Sequence, residues 1–382
     1  MRRIAVVTGN RADYGLLRVL MKEIRADPAL DLLVVATGGH PSRDLRADGI
    51  SAVATVDSGL VGDSPADVAR ALGRVTAGFA ECLERLRPDL VVLLGDRFEA
   101  LASAQAALLA RVPVAHLHGG ESSAGVVDES IRHAITKLSH LHFVSAEPYR
   151  RRVLQLGEPP DRVWTVGLTA ADNIADTSLA GWPELESVTG LRKSSPFFVV
   201  TFHPVTLDPE AGQRGVRALV AALEEFPEAA LLLTGANPDP GREAVSAVMA
   251  GFCARHPRAR FVESLGSRLY LSAIALCDAV VGNSSSGLVE APLLGVPSVN
   301  VGSRQDGRLR CDSVVDCPDD AGAIAAALRE VTGAGFRERA AGQSLPFPRG
   351  SASLRIKTHL KSVGLGDLLV KRFHEIPWGG TV

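Results

Sequence analysis

Short aliphatic runs alternate along the chain with longer amphipathic stretches. In the first half Ile4–Val7, Leu32–Ala36, Leu90–Leu94, Val112–His116, His142–Ser145 and Val163–Val166 read as buried strands. Parallel strands need helical crossovers, and Tyr14–Arg25, Ala66–Leu86, Phe98–Ala110 and Glu129–Ser139 supply helical periodicity between them. The second of these opens with Ser64-Pro65-Ala66-Asp67, a serine cap, a proline at the first helical position and an acid in the first turn. A polar stretch from Ala170 to Pro196 breaks the pattern and reads as a linker. Strands resume at Phe197–Val200, Ala230–Thr234, Arg260–Val262, Ala279–Val281, Ser298–Val301 and Val314–Val315. The pattern predicts an α/β protein of two similar doubly wound domains. Ligands of such sheets sit beyond the carboxyl ends of the strands, which directs attention to the loops after Val7, Leu94, His116, Val200, Thr234 and Val281.

Length agrees, since 382 residues exceed one domain of ~150. Lys+Arg 41 against Asp+Glu 43 gives a net charge of −2, with no basic excess for a nucleic acid or an anionic membrane surface. No apolar run approaches the ~20 residues of a membrane span, and Ile4–Val7 is too short for a signal peptide core. The cysteines, Cys82, Cys253, Cys277, Cys311 and Cys317, are odd in number and lack metal-ligand spacing, so reduced thiols and a cytoplasmic location are expected.

The loops carry the chemistry. After Val281 comes Gly282-Asn283-Ser284-Ser285-Ser286-Gly287, followed by a helix expected to begin near Leu288 with Glu290 in its first turn. Three hydroxyls between glycines at a helix start suit a phosphate better than a single cap requires; Glu290 either only favours the helix dipole or binds ribose hydroxyls beside the phosphate. Gly95-Asp96-Arg97-Phe98-Glu99 follows a purely aliphatic strand. The next loop brings His116, His118, Glu121 and Asp128, with Arg132 after it. Several acids behind neighbouring strands suit proton transfer. Alternate strand residues face opposite sides, so one of His116 and His118 packs inward and no metal site is expected. His203, held by Pro204, follows the first strand of the second half. Arg11, in Arg11-Ala12-Asp13, together with Arg304 and Arg308 makes three cations for a predicted anion site, the plain alternative being surface arginines.

Read together, these segments resemble the hydrolysing UDP-N-acetylglucosamine 2-epimerases. The resemblance runs from Thr8-Gly9-Asn10-Arg11-Ala12-Asp13-Tyr14 through Gly95–Glu99, His118-Gly119-Gly120-Glu121, Asp128–Lys137, His203-Pro204-Val205-Thr206 and Gly282–Gly287 to Arg304-Gln305-Asp306-Gly307-Arg308. It implies two Rossmann-like domains facing a central cleft, as in GT-B glycosyltransferases, with a C-terminal helix (Ser351–Ser362) returning to the first domain. The implied domains are 1–175, 176–350 and a 351–382 tail. It further implies release of a free 2-epimerised sugar and a nucleoside diphosphate, through elimination to a glycal and hydration. Asp96, Glu121, Asp128 and His203 fall at catalytic positions. Arg11, Asp13, Arg97, His118, Arg132, Ser284, Ser285, Ser286, Gly287, Arg304 and Arg308 fall among substrate contacts, Glu290 at the ribose, Asn237 beside sugar or phosphate, and Leu265 and Tyr270 around the base. No metal or cofactor is implied. The partner is a nucleotide sugar, and a homodimer or homotetramer is expected.

Two segments depart from the family pattern: Leu168-Thr169-Ala170-Ala171-Asp172 after Val166-Gly167, and Gly39-His40-Pro41-Ser42-Arg43-Asp44-Leu45. They leave the sugar substituents and the choice of uridine or guanosine open. A GT-B glycosyltransferase shares the fold and phosphate loop but has no need of the acid cluster around Glu121 and Asp128. A non-hydrolysing epimerase and an inactive nucleotide-sugar sensor are the other readings, and retention of all three carboxylates disfavours the sensor.

Overall fold

The computed structural model describes residues 1–9, 11–37, 45–46, 48–62, 64–236 and 240–376, without the side chains of Arg11 and Ala12. Two compact units emerge. One comprises Met1–Glu121, Asp128–Asp176 and Phe347–Val382, the other Ser122–Val127 and Thr177–Pro346.

In the first unit the described strands β1 (Arg2–Thr8), β2 (Leu30–Thr37), β3 (Ala52–Val56), β4 (Leu90–Leu94), β5 (Val114–Leu117), β6 (Leu141–Val144) and β7 (Val163–Thr165) form one parallel sheet in the order β3-β2-β1-β4-β5-β6-β7. The strand period of two divides its core. Ile4, Val6, Val34 and Val92 face Leu17, Leu20 and Ile24 of the helix Arg11–Ala26, with Ile356 and Leu360 of the C-terminal helix Ala352–Ser362. Ala5, Val7, Val35 and Val91 face Val75 and Phe79 of the helix Pro65–Leu86 on the other side. Each such fully buried side chain is worth roughly 1.5–3 kcal/mol. The Ser64 cap is present, accepting from the Asp67 N–H. Strand order reverses between β1 and β4, the position where a doubly wound sheet opens a crevice at its carboxyl edge.

The second unit repeats the plan with β8 (Phe197–Thr201), β9 (Ala230–Thr234), β10 (Ala259–Val262), β11 (Ala279–Gly282), β12 (Ser298–Val301) and β13 (Val314–Cys317), ordered β10-β9-β8-β11-β12-β13. Phe198, Val200, Leu231 and Leu233 face Val216, Leu219 and Met249, while Phe197, Val199 and Leu232 face Leu185 and Ile274. Its switch point lies between β8 and β11.

The sequence expectation lacks the strand β3 (Ala52–Val56) and the helix Glu147–Gln155, and the structure differs from it in further places. The polar stretch expected as a linker holds two short helices: Thr169–Ala175, whose buried positions Thr169, Ala170, Asp172 and Asn173 are mostly polar, and Trp182–Thr189, which buries only Leu185, so neither shows an apolar periodicity. The strand expected at Val112–His116 begins two residues later, just after Pro113, which has no N–H to give a ladder. The helix expected near Leu288 is a 3-10 turn, Ser285–Gly287, and a four-residue turn, Glu290–Leu293, because Pro292 and the left-handed Gly295 (φ 68°) stop it.

Candidate active site

At the carboxyl edge of the first sheet, Asp96 and Glu121 are organised by one buried cation. Arg132, on the helix Asp128–Leu138, is 1% exposed. Its guanidinium pairs with the Asp96 carboxylate, donates to the Glu121 carbonyl at 3.0 Å and pairs with Glu129 at 2.7 Å. An arginine expected among substrate contacts therefore spends its donors inside the protein. Burying that charge is tolerable only because carboxylates surround it. Asp128, first residue of the same helix, is half-buried.

Glu121 is itself buried and held from two sides. His118 Nδ1 lies 2.8 Å from Oε1, and the Ser145 hydroxyl donates to the same oxygen at 3.1 Å. His118 has a left-handed backbone, φ 63°, which aims the ring between Glu121 and Thr169. With Nδ1 donating to the carboxylate, Nε2 accepts from the Thr169 hydroxyl at 3.1 Å. Of the two histidines, His116 is the packed one. Its Nε2 sits 2.7 Å from the Gly95 carbonyl and its Nδ1 3.1 Å from Thr136 Oγ1, and burial pushes its pKa down to about 3. The neutral ring pins the turn that presents Asp96. Among the described residues no cluster of three His, Cys, Asp or Glu side chains is arranged to hold a metal ion.

Asp13, Arg97 and Glu99 line a small pocket at the ends of β1, β2 and β4. Arg97 Nε pairs with Glu99 at 3.2 Å, and the Gly9 N–H donates to Asp13 Oδ2 at 3.3 Å. Burial pushes the Asp13 carboxyl up to about 7, against the pull of Arg97 and with repulsion from Glu99 and Asp96. The Thr37 hydroxyl on the same wall is buried and finds no partner among the described residues. Arg11 begins its helix, but its side chain lies outside the described residues, as do Asn237 and residues 38–44 of the divergent first-domain loop.

In the second unit Gly282 allows the end of β11 to cross close to β8: at φ 137°, a Cβ there would stand 2.0 Å from the Thr201 carbonyl oxygen. That closeness lets Asn283 clamp the backbone of His203, accepting from its N–H at 2.6 Å and donating to its carbonyl at 2.8 Å. His203 is buried. Burial, then the neighbouring Arg304, holds its pKa well below the usual imidazole value, so it is a neutral hydrogen-bonding group. Arg304 donates to the carbonyls of Pro204 (3.2 Å) and Asn283 (3.3 Å). The segment Ser122–Val127 packs in this unit, where the Ala124 N–H donates to the Asp306 carbonyl and the Leu207 N–H to that of Gly125.

The serine loop follows. Ser284 Oγ accepts from the Ser286 hydroxyl at 3.0 Å and weakly from its N–H at 3.4 Å. Ser286 and Gly287 are buried, whereas Ser284, Ser285, Glu290, Leu265, Tyr270 and Arg308 are partly accessible. Tyr270 directs its hydroxyl at Ser286, 2.6 Å away. With no long helix behind the loop, no macrodipole points at it, and its polar groups are these hydroxyls, with Arg304 beside Asn283. Sequence reading missed Asn283, Ser145 and Thr169 as supporting residues. Asn283 had a signal in its place between a strand-end glycine and the serine run; Ser145 and Thr169 become neighbours of the loop only through the fold.

Comparison with known proteins follows the same outline. A family described as UDP-N-acetylglucosamine 2-epimerase matches residues 22–361. The GDP/UDP-N,N'-diacetylbacillosamine 2-epimerase (hydrolyzing) of Campylobacter jejuni is 34% identical, covering 98% of this chain and 99% of its own. Polysialic acid biosynthesis protein P7 of Escherichia coli is 33% identical over 99% of this chain and 98% of its own. Among solved structures, a UDP-GlcNAc 2-epimerase from Neisseria meningitidis bound to UDP-GlcNAc superposes with a TM-score of 0.80 at 17% identity, covering 95% of this chain and 100% of that one.

Proposed function

Because the chain belongs to the UDP-N-acetylglucosamine 2-epimerase family, we infer that it is a hydrolysing nucleotide-sugar 2-epimerase, releasing the free 2-epimer and a nucleoside diphosphate. The hydrogen on sugar carbon 2 is a poor acid. As the bond from the anomeric carbon to the diphosphate oxygen breaks, its electron pair leaves with the diphosphate. Developing positive charge at the anomeric carbon then makes the proton removable. A carboxylate takes that proton and a glycal remains. Water adds to the anomeric carbon, losing a proton to a second carboxylate, while carbon 2 is protonated from the opposite face.

The observation that carries this reading is the pair of carboxylates Asp96 and Glu121 organised around the buried Arg132, in a chain that matches a hydrolysing relative from end to end. Asp96 and Glu121 handle the carbon 2 and water protons, with Asp128 a third acid or base. His203 hydrogen-bonds as a neutral imidazole. Ser284, Ser285, Ser286 and Gly287 receive the diphosphate, with Arg304, Arg308 and Arg11 as countercharge, and Glu290 accepts from ribose hydroxyls. Leu265 and Tyr270 border the base, Asn237 the sugar or phosphate, and Asp13 and Arg97 the sugar side. His118 and Arg132 act through the carboxylates they hold. The relatives from Campylobacter jejuni and Legionella pneumophila are named for N,N'-diacetylbacillosamine, so a 2,4-diacetamido sugar joins N-acetylglucosamine as a proposed substrate. A homo-oligomer, a cytoplasmic location and a role in making sialic-acid-type sugars belong to the same proposal.

The test is incubation in deuterated water with the UDP and GDP forms of both sugars, followed by NMR. Free 2-epimer with one deuterium at carbon 2 is expected. Product still bearing nucleotide, or carrying no deuterium, overturns the reading.

A further inference from the structure

Five hydroxyls form an unbroken run that ends at the serine loop of the second unit. Thr234 Oγ1 lies 2.7 Å from Thr201 Oγ1, which lies 3.0 Å from Tyr270 Oη. Tyr270 Oη lies 2.6 Å from Ser286 Oγ, and Ser286 Oγ is 3.0 Å from Ser284 Oγ. Four elements supply them: the ends of β8 and β9, the helix Gly266–Leu276 and the loop after β11.

Each hydroxyl has one proton, which fixes the direction of the run. Ser286 gives its proton to Ser284 and therefore accepts from Tyr270. Tyr270, having spent its proton, accepts from Thr201, and Thr201 in turn accepts from Thr234, whose hydroxyl also reaches the Val200 carbonyl at a long 3.5 Å. Ser284 is the terminal acceptor, so its own proton remains for an acceptor outside the run. A phenol is a stronger hydrogen-bond donor than an aliphatic hydroxyl, and donors in series strengthen one another. Burial raises the Tyr270 pKa and keeps its proton in place.

We propose that Tyr270 is a positioning residue of the diphosphate loop, orienting Ser284 as a donor to a diphosphate oxygen through the Thr234-Thr201-Tyr270-Ser286-Ser284 hydroxyl run. The proposal rests on the reading of that loop as the diphosphate-holding site. It gives Tyr270 a task distinct from bordering the base, because the task belongs to the hydroxyl and not to the ring.

Tyr270→Phe and Thr201→Val each cut the run at a different place while keeping side-chain size. Titration calorimetry of UDP and GDP against the parent chain first establishes that a nucleoside diphosphate binds. If neither binds, the functional reading fails, and the proposal with it. If one binds, each single variant is expected to raise its dissociation constant roughly 3- to 10-fold. The double variant is expected to match a single one, since an interrupted run has nothing more to lose. KM for the nucleotide sugar should rise by a similar factor in each single variant. Parent-like binding by Tyr270→Phe, or losses that multiply in the double variant, overturns the proposal. Should Tyr270→Phe fail to fold, Thr201→Val decides: parent-like binding by a folded Thr201→Val chain also overturns it.

Discussion

Replacing Asp13 with Asn is expected to stabilise the first unit at alkaline pH and to do so less and less as the solution is acidified. Burial holds the Asp13 carboxyl at about 7, well above an ordinary value of 3.8, with Glu99 and Asp96 raising it further and Arg97 and the Gly9 N–H opposing. Folding therefore takes up a proton between about pH 4 and pH 7. Above that window the folded chain carries a buried carboxylate; below it the group is neutral in both states and the cost is gone. Stability from this group falls as pH rises, the reverse of a salt-bridged carboxylate. A displacement of about 3 units at ~1.4 kcal/mol each sets a ceiling of ~4 kcal/mol at pH 8. Asn escapes the charge, and its side-chain oxygen can still accept from the Gly9 N–H. Thermal unfolding of parent and variant at pH 4.5, 6 and 8 should show a gap of several degrees at pH 8, at roughly 2–4 °C per kcal/mol, closing towards pH 4.5. If the gap is independent of pH, or if the variant is the less stable of the two at pH 8, burial is not what governs this carboxyl and the neighbouring Arg97 outweighs it.

Arg132→Met removes the cation that Asp96 and Glu129 share and leaves the Glu121 carbonyl without that donor, so denaturant unfolding should show a loss of about 3–5 kcal/mol together with collapse of turnover. Parent-like stability would mean the pairs are not worth their burial. Asp96→Asn or Glu121→Gln should lower turnover by roughly 10²-fold or more with nucleoside diphosphate affinity little changed. Glu290→Ala should instead weaken that affinity by roughly 1–3 kcal/mol; calorimetry showing the reverse pattern would refute the assignment of chemistry to one unit and nucleotide to the other.

The strands were legible because buried parallel strands are written as unmixed aliphatics. Leu90–Leu94 is buried throughout, and no helix of a half-exposed layer would carry such a run. The loops were legible because glycine, serine and acids cluster where aliphatics stop. The sequence misled where a residue's role depends on a distant partner. Arg132 reads as one polar position on an amphipathic helix, yet Asp96, 36 residues away, makes it a core residue. Tyr270 and Thr201, 69 residues apart, meet only because β8 and the helix Gly266–Leu276 are brought together by the fold. The helix expected after Gly287 shrinks to a four-residue turn, because Pro292 and Gly295 outweigh the usual habit of a glycine-serine loop to introduce a longer helix.

Glu121 is bonded to His118, and His118 to Thr169. Thr169 opens a seven-residue helix whose Asp172 accepts from the Ser353 N–H at 2.6 Å, at the start of the C-terminal helix. The seating of Glu121 therefore depends on a residue made 232 positions later, since 353 minus 121 is 232. During synthesis at about 5–20 residues per second, the ribosome needs roughly 12–46 s to cross that interval. In the last part of that time, once β13 has been made as far as Cys317, a nascent chain can have both sheets laid down and still lack the brace behind its acid. The brace behind Glu121 is therefore among the later contacts this chain can make as it is synthesised, and a chain stalled short of Ser353 lacks it.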